Sequence, residues 1–363
     1  MKVVVAGAGV VGCAVAHELC RRGAHVQVLD GRDVGRGASR ASAGVLAPYI
    51  EGHSEALLQL GLCSLAAYDG FVDHVCSDGR HAIEYRRTGT LEVALDDLQA
   101  ERLRAMAGAG NGSQRRYLDA GEARALEPAL PRTATGAVYT PSHGYVRVRE
   151  LLSGLAAAIT AMGGTISPDT HAVQIESVSS GVRIVTAGGA IEADAIVLAA
   201  GSWSGTVSLH ATPPAPVTPI RGQLLELACR RPPASCVLWG SECYLVPWQD
   251  GTVLVGATVE DVGFDESATV AGVRSLLEAA CDLLPATSDA SFREVRVGLR
   301  PRTPDALPII GRSATLPRVY YATGHYRNGV LLAPLTAVAV ADQVLEGRVM
   351  AGLESTSPSR FGL

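Results

Sequence analysis

The sequence predicts an α/β protein built on a dinucleotide-binding unit, with a second, β-rich domain inserted into it. Three observations carry this. An apolar run, Lys2-Val3-Val4-Val5-Ala6, passes straight into Gly7-Ala8-Gly9-Val10-Val11-Gly12. A second buried-type strand far downstream, Ala190 to Leu198, ends in the small residues Ala199-Ala200-Gly201. Between and after these, from about Glu84 and again from Arg221, short alternating stretches replace the strand–helix rhythm.

The opening element is the most specific. A strand, a glycine turn, a helix over Cys13 to Arg22 and a second strand over His25 to Leu29 lead to Asp30. That order is the dinucleotide fingerprint. Gly7 permits the tight turn, Gly9 lets backbone approach a pyrophosphate, and Gly12 lets the helix pack close on its strand. The N–H groups of Val10 and Val11 open the helix and face a phosphate with its partial positive charge. Asp30 stands where a carboxylate accepts ribose hydroxyls. The following loop, Gly31-Arg32 to Ala38-Ser39, and then Ala43-Gly44-Val45-Leu46, carries small residues and hydroxyls that suit a backbone lying against a flat or phosphorylated ligand, or simply a surface turn. Which dinucleotide is held stays open on these residues alone.

Ser54 to Val75 reads as one helix from its apolar spacing. Thr90 to Leu95 alternates as a strand, Asp96 to Met106 reads as a charged amphipathic helix, and Gly108 to Ser113 as a glycine-rich loop. A short helix over Asp119 to Leu126 stops before Pro128. Val146 to Met162 is helical and ends at Gly163-Gly164. Thr165-Ile166, Ala172 to Val178, Val182 to Thr186 and Ala190 to Leu198 are strands, the last a single one. Further strands are expected at Leu224–Leu227, Tyr244–Pro247, Val253–Val255, Phe292–Gly298 and Val319–Thr323, with a helix over Val270 to Leu284. His325-Tyr326-Arg327-Asn328-Gly329-Val330-Leu331 opens a final helix running to about Glu346, and a glycine-bearing helix start presents N–H groups to an electron-rich ligand. The expected division is a discontinuous cofactor domain over residues 1–83, 141–215 and 298–363, with a substrate domain over 84–140 and 216–297.

Composition limits the function classes. Across 363 residues, 47% are hydrophobic and 18% charged, enough apolar material for a sizeable core. A net charge of -5 supplies no basic field for nucleic acid. The eight cysteines contain no CxxC pair and no metal-ligand spacing, which fits a reducing cytoplasm better than a disulfide framework. The apolar run from Lys2 to Ala16 is too short to span a bilayer, and no longer one exists. A cytoplasmic protein with no membrane and no nucleic-acid partner is expected.

Taken together, Gly7-x-Gly9-x-x-Gly12, Gly37-Ala38-Ser39 with Ala43-Gly44-Val45-Leu46-Ala47-Pro48, Cys243-Tyr244-Leu245-Val246-Pro247, Gly298-Leu299-Arg300-Pro301 and Gly324-His325-Tyr326-Arg327-Asn328-Gly329-Val330-Leu331 resemble glycine oxidases of the thiamine-biosynthesis type, within the D-amino-acid oxidase group of FAD-dependent amine oxidases. The resemblance covers nearly the whole chain. It implies FAD as the dinucleotide, held without a covalent link, because no cysteine occurs after Cys281. Val173, Ala200, Gly201 and Trp203 join the cofactor-binding set on the same basis. The resemblance further implies a Rossmann-like FAD domain with an inserted antiparallel-sheet substrate domain, and an assembly of like subunits.

The family reaction is the oxidative deamination of an amino acid. Hydride passes from Cα to flavin N5, the imine hydrolyses, and O2 takes the electrons to give hydrogen peroxide. Matched residue by residue, Arg300 is the carboxylate clamp, Tyr244 donates a second hydrogen bond, and the Arg327-Asn328-Gly329-Val330-Leu331 turn faces the flavin. On the residues alone Arg300 reads equally as an ion-paired arginine and Tyr244 as a core tyrosine, while His325 reads as a packed histidine rather than a base. Val45 and Val259 stand where family members carry methionine, and Glu242 where they carry histidine. Those departures leave glycine, a small or N-substituted glycine, and a bulkier N-carboxymethyl or other secondary-amine acid all open as substrates. A dehydrogenase using another electron acceptor and a non-catalytic FAD-binding protein are the remaining alternatives.

Overall fold

The computed structural model describes residues 1–108, 114–179, 181–210 and 212–363. Beyond Gly108, the loop expected over Gly108–Ser113 lies outside the described residues. A six-stranded sheet runs in the order Ile309–Arg312, Val319–Thr323, Ala195–Leu198, Lys2–Ala6, His25–Leu29, Thr165–Ser167. Only the edge strand Ile309–Arg312 is antiparallel. The period of two along Lys2–Ala6 assigns its faces. Val3 and Val5 pack with the helices Val10–Arg21, Val148–Ala161 and Ala333–Glu346. Val4 and Ala6 pack against Ile175 and Ile184 of a smaller sheet formed by Ala172–Val178, Gly181–Thr186, Gly189–Ala193 and Ser208–Leu209. Helices, parallel sheet and small sheet therefore form three layers, and both faces of the parallel sheet are buried, as its unbroken apolar strands require.

The eight-stranded sheet draws its strands from residues 90–140 and 218–302, in the order Ser291–Arg302, Thr218–Ala228, Thr252–Gly256, Tyr244–Pro247, Val237–Trp239, Thr90–Ala94, Gly136–Thr140, Arg116–Asp119. Its pairings are antiparallel except where Val237–Trp239 meets Thr90–Ala94 and joins the two chain segments in parallel. One face carries Leu225, Leu227, Leu245, Val253 and Val255, packed under the helix Val270–Leu283. The alternate residues Leu224, Val246 and Leu254 turn to Ala41 and Ala43 of the glycine-rich loop, so the second face closes over the cofactor domain.

Several expected elements differ. The helix over 54–75 is two, Glu55–Ala66 and Tyr68–Gly79, broken at Ala67. Val146 belongs to the strand Gly144–Val146, and the next helix begins at Val148. The strand over 190–198 divides at Asp194, whose N–H donates to Lys2 O (2.9 Å) and whose Oδ2 accepts from Lys2 N (2.7 Å). Its halves consequently enter different sheets. Thr218–Ala228 and Ser291–Arg302 run much further than expected. Pro219 looks like a breaker, yet it pairs with Pro301, and Gly222 pairs with Gly298 within the same strand. The last helix starts only at Ala333, and Gly324–Leu332 is a chain of turns before it.

Candidate active site

The glycine turn builds one end of the site. Gly7 has φ +120°, and a Cβ there would stand 2.2 Å from the carbonyl oxygen of Ala199. A Cβ on Gly12 would stand 2.0 Å from Gly7 O. Helix and strand are thus pressed together at residues where only glycine fits. Ser39 Oγ accepts from Val10 N at 2.9 Å and ties the second loop to the helix start. Asp30 is fixed by two backbone donors, Ala8 N (2.7 Å) and Arg32 N (2.9 Å). The Arg32 guanidinium lies 4.1 Å above the Trp203 ring and bonds both oxygens of Glu266 (3.1 and 2.9 Å).

One cavity of about 600 Å³ runs from this turn to the large sheet. Its wall takes in Gly7, Gly9, Val10, Val11, Asp30, Gly31, Arg32, Ala38, Ser39, Gly44, Ala200, Gly201 and Trp203 at one side, together with Ala43 and Val45, which pack in the same apolar cluster as Tyr244. Tyr244, Arg300, His325, Tyr326, Arg327, Asn328, Gly329, Val330 and Leu331 line the other. Three residues expected at the cofactor do not line it. Gly12 is spent on helix–strand packing. Leu46 is fully buried in the core, and Val173 is half-exposed while its strand neighbour Ala172 reaches the cavity. The Arg327–Leu331 segment lines the wall from turns, not from the first turn of the last helix as expected.

At the far end the strands leave deliberate space. A Cβ on Gly222 would stand 2.3 Å from the Arg300 guanidinium, and one on Gly256 would stand 2.4 Å from the Tyr244 ring. Arg300 Nη1 donates to Thr258 O at 2.9 Å. Among the described residues, no carboxylate forms an ion pair with Arg300. Burial holds its pKa below the usual arginine range, partly offset by Tyr244. Burial also pushes the Tyr244 hydroxyl up to about 12, against the opposing pull of Arg300, so it remains a donor. Trp239 stacks on Tyr244 at 4.8 Å. His325 is buried, paired with Thr336 Oγ1 at 3.0 Å, and held neutral by burial, its pKa lowered to about 3.

Other residues at the wall were not singled out from sequence. Thr170, His171 and Ala172 line the dinucleotide end, with the His171 ring in the space a Gly31 side chain would fill. Glu51 and Gly222 line the far end. Gly222 carried a readable signal, since a glycine inside a strand marks a close approach. Glu51 carried none, as its partner lies 276 residues away.

A family model for FAD dependent oxidoreductases, the DAO family, matches residues 2–343. The chain belongs to that family. As an FAD-dependent oxidoreductase it is 32% identical to a glycine oxidase of Geobacillus kaustophilus over 347 residues, 94% of this chain and 92% of that protein. It is 35% identical to a bifunctional ThiO/ThiG protein of Nostoc over 95% of this chain and 52% of that protein, so it spans about half of the bifunctional relative. The crystal structure of the Geobacillus kaustophilus glycine oxidase superposes with a TM-score of 0.92 over 98% of both chains, at 32% identity. That of an iminodiacetate oxidase from Chelativorans superposes at 0.87 over 98% of both, at 27% identity. The α/β architecture with its separate large sheet is that of the glycine oxidase structures. No described helix of this oxidoreductase is long and apolar enough to cross a membrane.

Proposed function

We propose that this oxidoreductase is an amino-acid oxidase acting on glycine or a small, N-substituted glycine. The observation that carries the reading is Arg300. It is a guanidinium with no carboxylate partner among the described residues, set beside a protonated Tyr244, at the far end of a cavity that begins at a dinucleotide turn. A guanidinium can bond both oxygens of a substrate carboxylate, and Tyr244 supplies a second donor. Together they would fix the orientation of Cα, which is where most of the protein's contribution lies.

The residues fit FAD. Gly7 and Gly9 keep a cradle free of side chains, Asp30 is oriented by backbone donors, and Asn328 Nδ2 is buried at the wall without an acceptor. Gly7, Gly9, Asp30 and Ser39 would hold the dinucleotide, and Asn328 would donate to a polar edge of the flavin. Bound FAD supplies the two-electron acceptor for oxidation of the amine to an imine, which water hydrolyses, and O2 regenerates it with release of hydrogen peroxide. The link would be non-covalent. Cys243 lines the cavity, but its side chain is buried in the core beneath the helix Val270–Leu283 and burial pushes its thiol up to about 12. His325, neutral and bonded to Thr336, moves no proton.

A second reading, oxidation of a bulkier N-substituted glycine, is favoured by Val45 and Val259 at the wall. The relatives named glycine oxidase and ThiO/ThiG support the oxidase type; the reading extends, on the motif resemblance alone, to a cytoplasmic enzyme of the thiamine-biosynthesis type working as a homo-oligomer. Purified protein mixed anaerobically with glycine, sarcosine, D-alanine and N-ethylglycine tests the reading. Bleaching of the flavin absorbance by at least one, with peroxide on readmitting air, is the expected result. A colourless protein that takes up no FAD would sink it.

A further inference from the structure

The reaction end holds a second guanidinium that is not free. Arg327 Nη2 donates to Glu51 Oε1 at 2.8 Å and ties the Gly324–Leu332 turn to the short helix Pro48–Glu51. Glu51 is 9% exposed. Its second oxygen, Oε2, is buried with no hydrogen-bond partner among the described residues; the exposed His53 ring stands 3.9 Å from it, at ion-pair but not hydrogen-bond distance. A carboxylate serving only to hold the fold would be expected to satisfy both oxygens, because a half-satisfied buried charge destabilises. Both members of the pair line the cavity with Arg300 and Tyr244. Both contribute to the field at the Tyr244 hydroxyl and at Arg300.

Counting charges then defines what the site accepts. Arg300 contributes one uncompensated positive charge. Arg327 and Glu51 cancel. Glu242, at the exposed rim of the same cavity, adds a negative charge. A zwitterionic substrate brings one carboxylate, which Arg300 meets. Among the described residues lining the cavity, a second carboxylate would find no free cation and would meet the carboxylates of Glu51 and Glu242. Burying it unpaired is costly.

We infer that Glu51 is a specificity residue: by occupying the Arg327 guanidinium it restricts the site to amino acids carrying a single carboxylate, and excludes N-carboxymethyl dicarboxylates. The inference rests on the proposed function and narrows it. N-substituents can be alkyl, not acidic.

Glu51→Gln keeps an oxygen for Arg327 and removes the negative charge. In flavin-loaded protein the ratio of kcat/KM for iminodiacetate to that for N-ethylglycine, a neutral substituent of similar length, should rise at least about fivefold over the unmodified enzyme. A smaller rise, no change or a fall overturns the inference. An arm that needs no variant compares acetate and malonate as perturbants of the flavin spectrum in the unmodified protein. Acetate should bind at least as tightly as malonate, and tighter binding of malonate overturns the charge rule. This second arm reads the charge rule even if no amine bleaches the flavin, so failure of the rule and failure of the oxidase reading are told apart.

Discussion

Arg300 lies across Gly222 on the adjacent strand, its guanidinium filling the volume that any side chain at 222 would take: a built Cβ comes within 2.3 Å of Nη2. The strand pairing sets this relationship. Gly222 pairs with Gly298 and Ile220 with Arg300, so the arginine leans along the sheet over a position with no side chain. Gly222→Ala should therefore displace the guanidinium rather than unfold the sheet. The expected outcome is a fall of about 10²-fold in kcat/KM, seen mainly in KM, with flavin still bound. Steady-state kinetics alongside the flavin spectrum checks it, and unchanged kinetics would show that the arginine is not held this way.

Removing the guanidinium itself goes further. Truncating one partner of a buried charge-assisted pair costs about 2–5 kcal/mol. Arg300→Ala should accordingly lose roughly 30- to several-thousand-fold in kcat/KM while keeping the flavin spectrum. Arg300→Lys should recover only part, since an ammonium cannot bond two carboxylate oxygens in the plane. Full recovery by lysine would mean that charge alone, not the planar fork, does the binding.

The dinucleotide half was legible because its signals are local: Gly7, Gly9, Gly12 and Asp30 fall within one strand–helix–strand unit whose backbone demands them. The reaction end was legible only through a resemblance in motif, because its residues come from distant segments that sheet pairing brings together. Tyr244, Arg300 and Gly222 meet through four consecutive strands of the sheet, and nothing in their spacing says so. Glu51 was hidden for the same reason. The strand Thr218–Ala228 begins earlier than its sequence suggests because Pro219 looks like a breaker, and the 190–198 stretch divides because Asp194 spends its backbone and side chain on Lys2.

The chain between residues 258 and 269 crosses from the large sheet to the dinucleotide end. It is pinned there by Glu266 to Arg32 and by Phe264 against Trp203 at 5.6 Å, with Arg32 stacked on the same indole. Trp203, Arg32 and Glu266 all line the cavity. Trp203→Ala removes both stacking contacts at once. It should speed the loss of FAD on dilution several-fold, about the effect of one aromatic contact, and leave kcat of the loaded enzyme nearly unchanged. Flavin fluorescence recovered over time measures the release. Release at the unmodified rate would detach this segment from cofactor retention. Because the Arg32–Glu266 pair is partly exposed, retention should also weaken as salt is raised.

Two buried histidines make the fold sensitive to acid. His143 and His325 both have pKa values lowered from 6.5 to about 3, chiefly by burial, and in His143 also by Arg115 and Arg87. Below pH 6.5 the unfolded chain binds protons that the native state refuses until about pH 3, so stability is present above 6.5 and is lost as pH falls toward 3. Each histidine contributes a slope of up to about 1.4 kcal/mol per pH unit in that window. His143 is hydrogen-bonded to Thr90 Oγ1 at 2.8 Å and accepts from Tyr49 N at 3.4 Å; it lies outside the cavity wall, although Tyr49 shares the short helix with Glu51. His143→Gln should lower stability at pH 7.5 but flatten its decline between pH 6 and 4. Thermal melting of the flavin-loaded protein across that range checks the sign. A variant whose melting temperature falls with acid as steeply as that of the unmodified protein would remove His143 as a source of the slope.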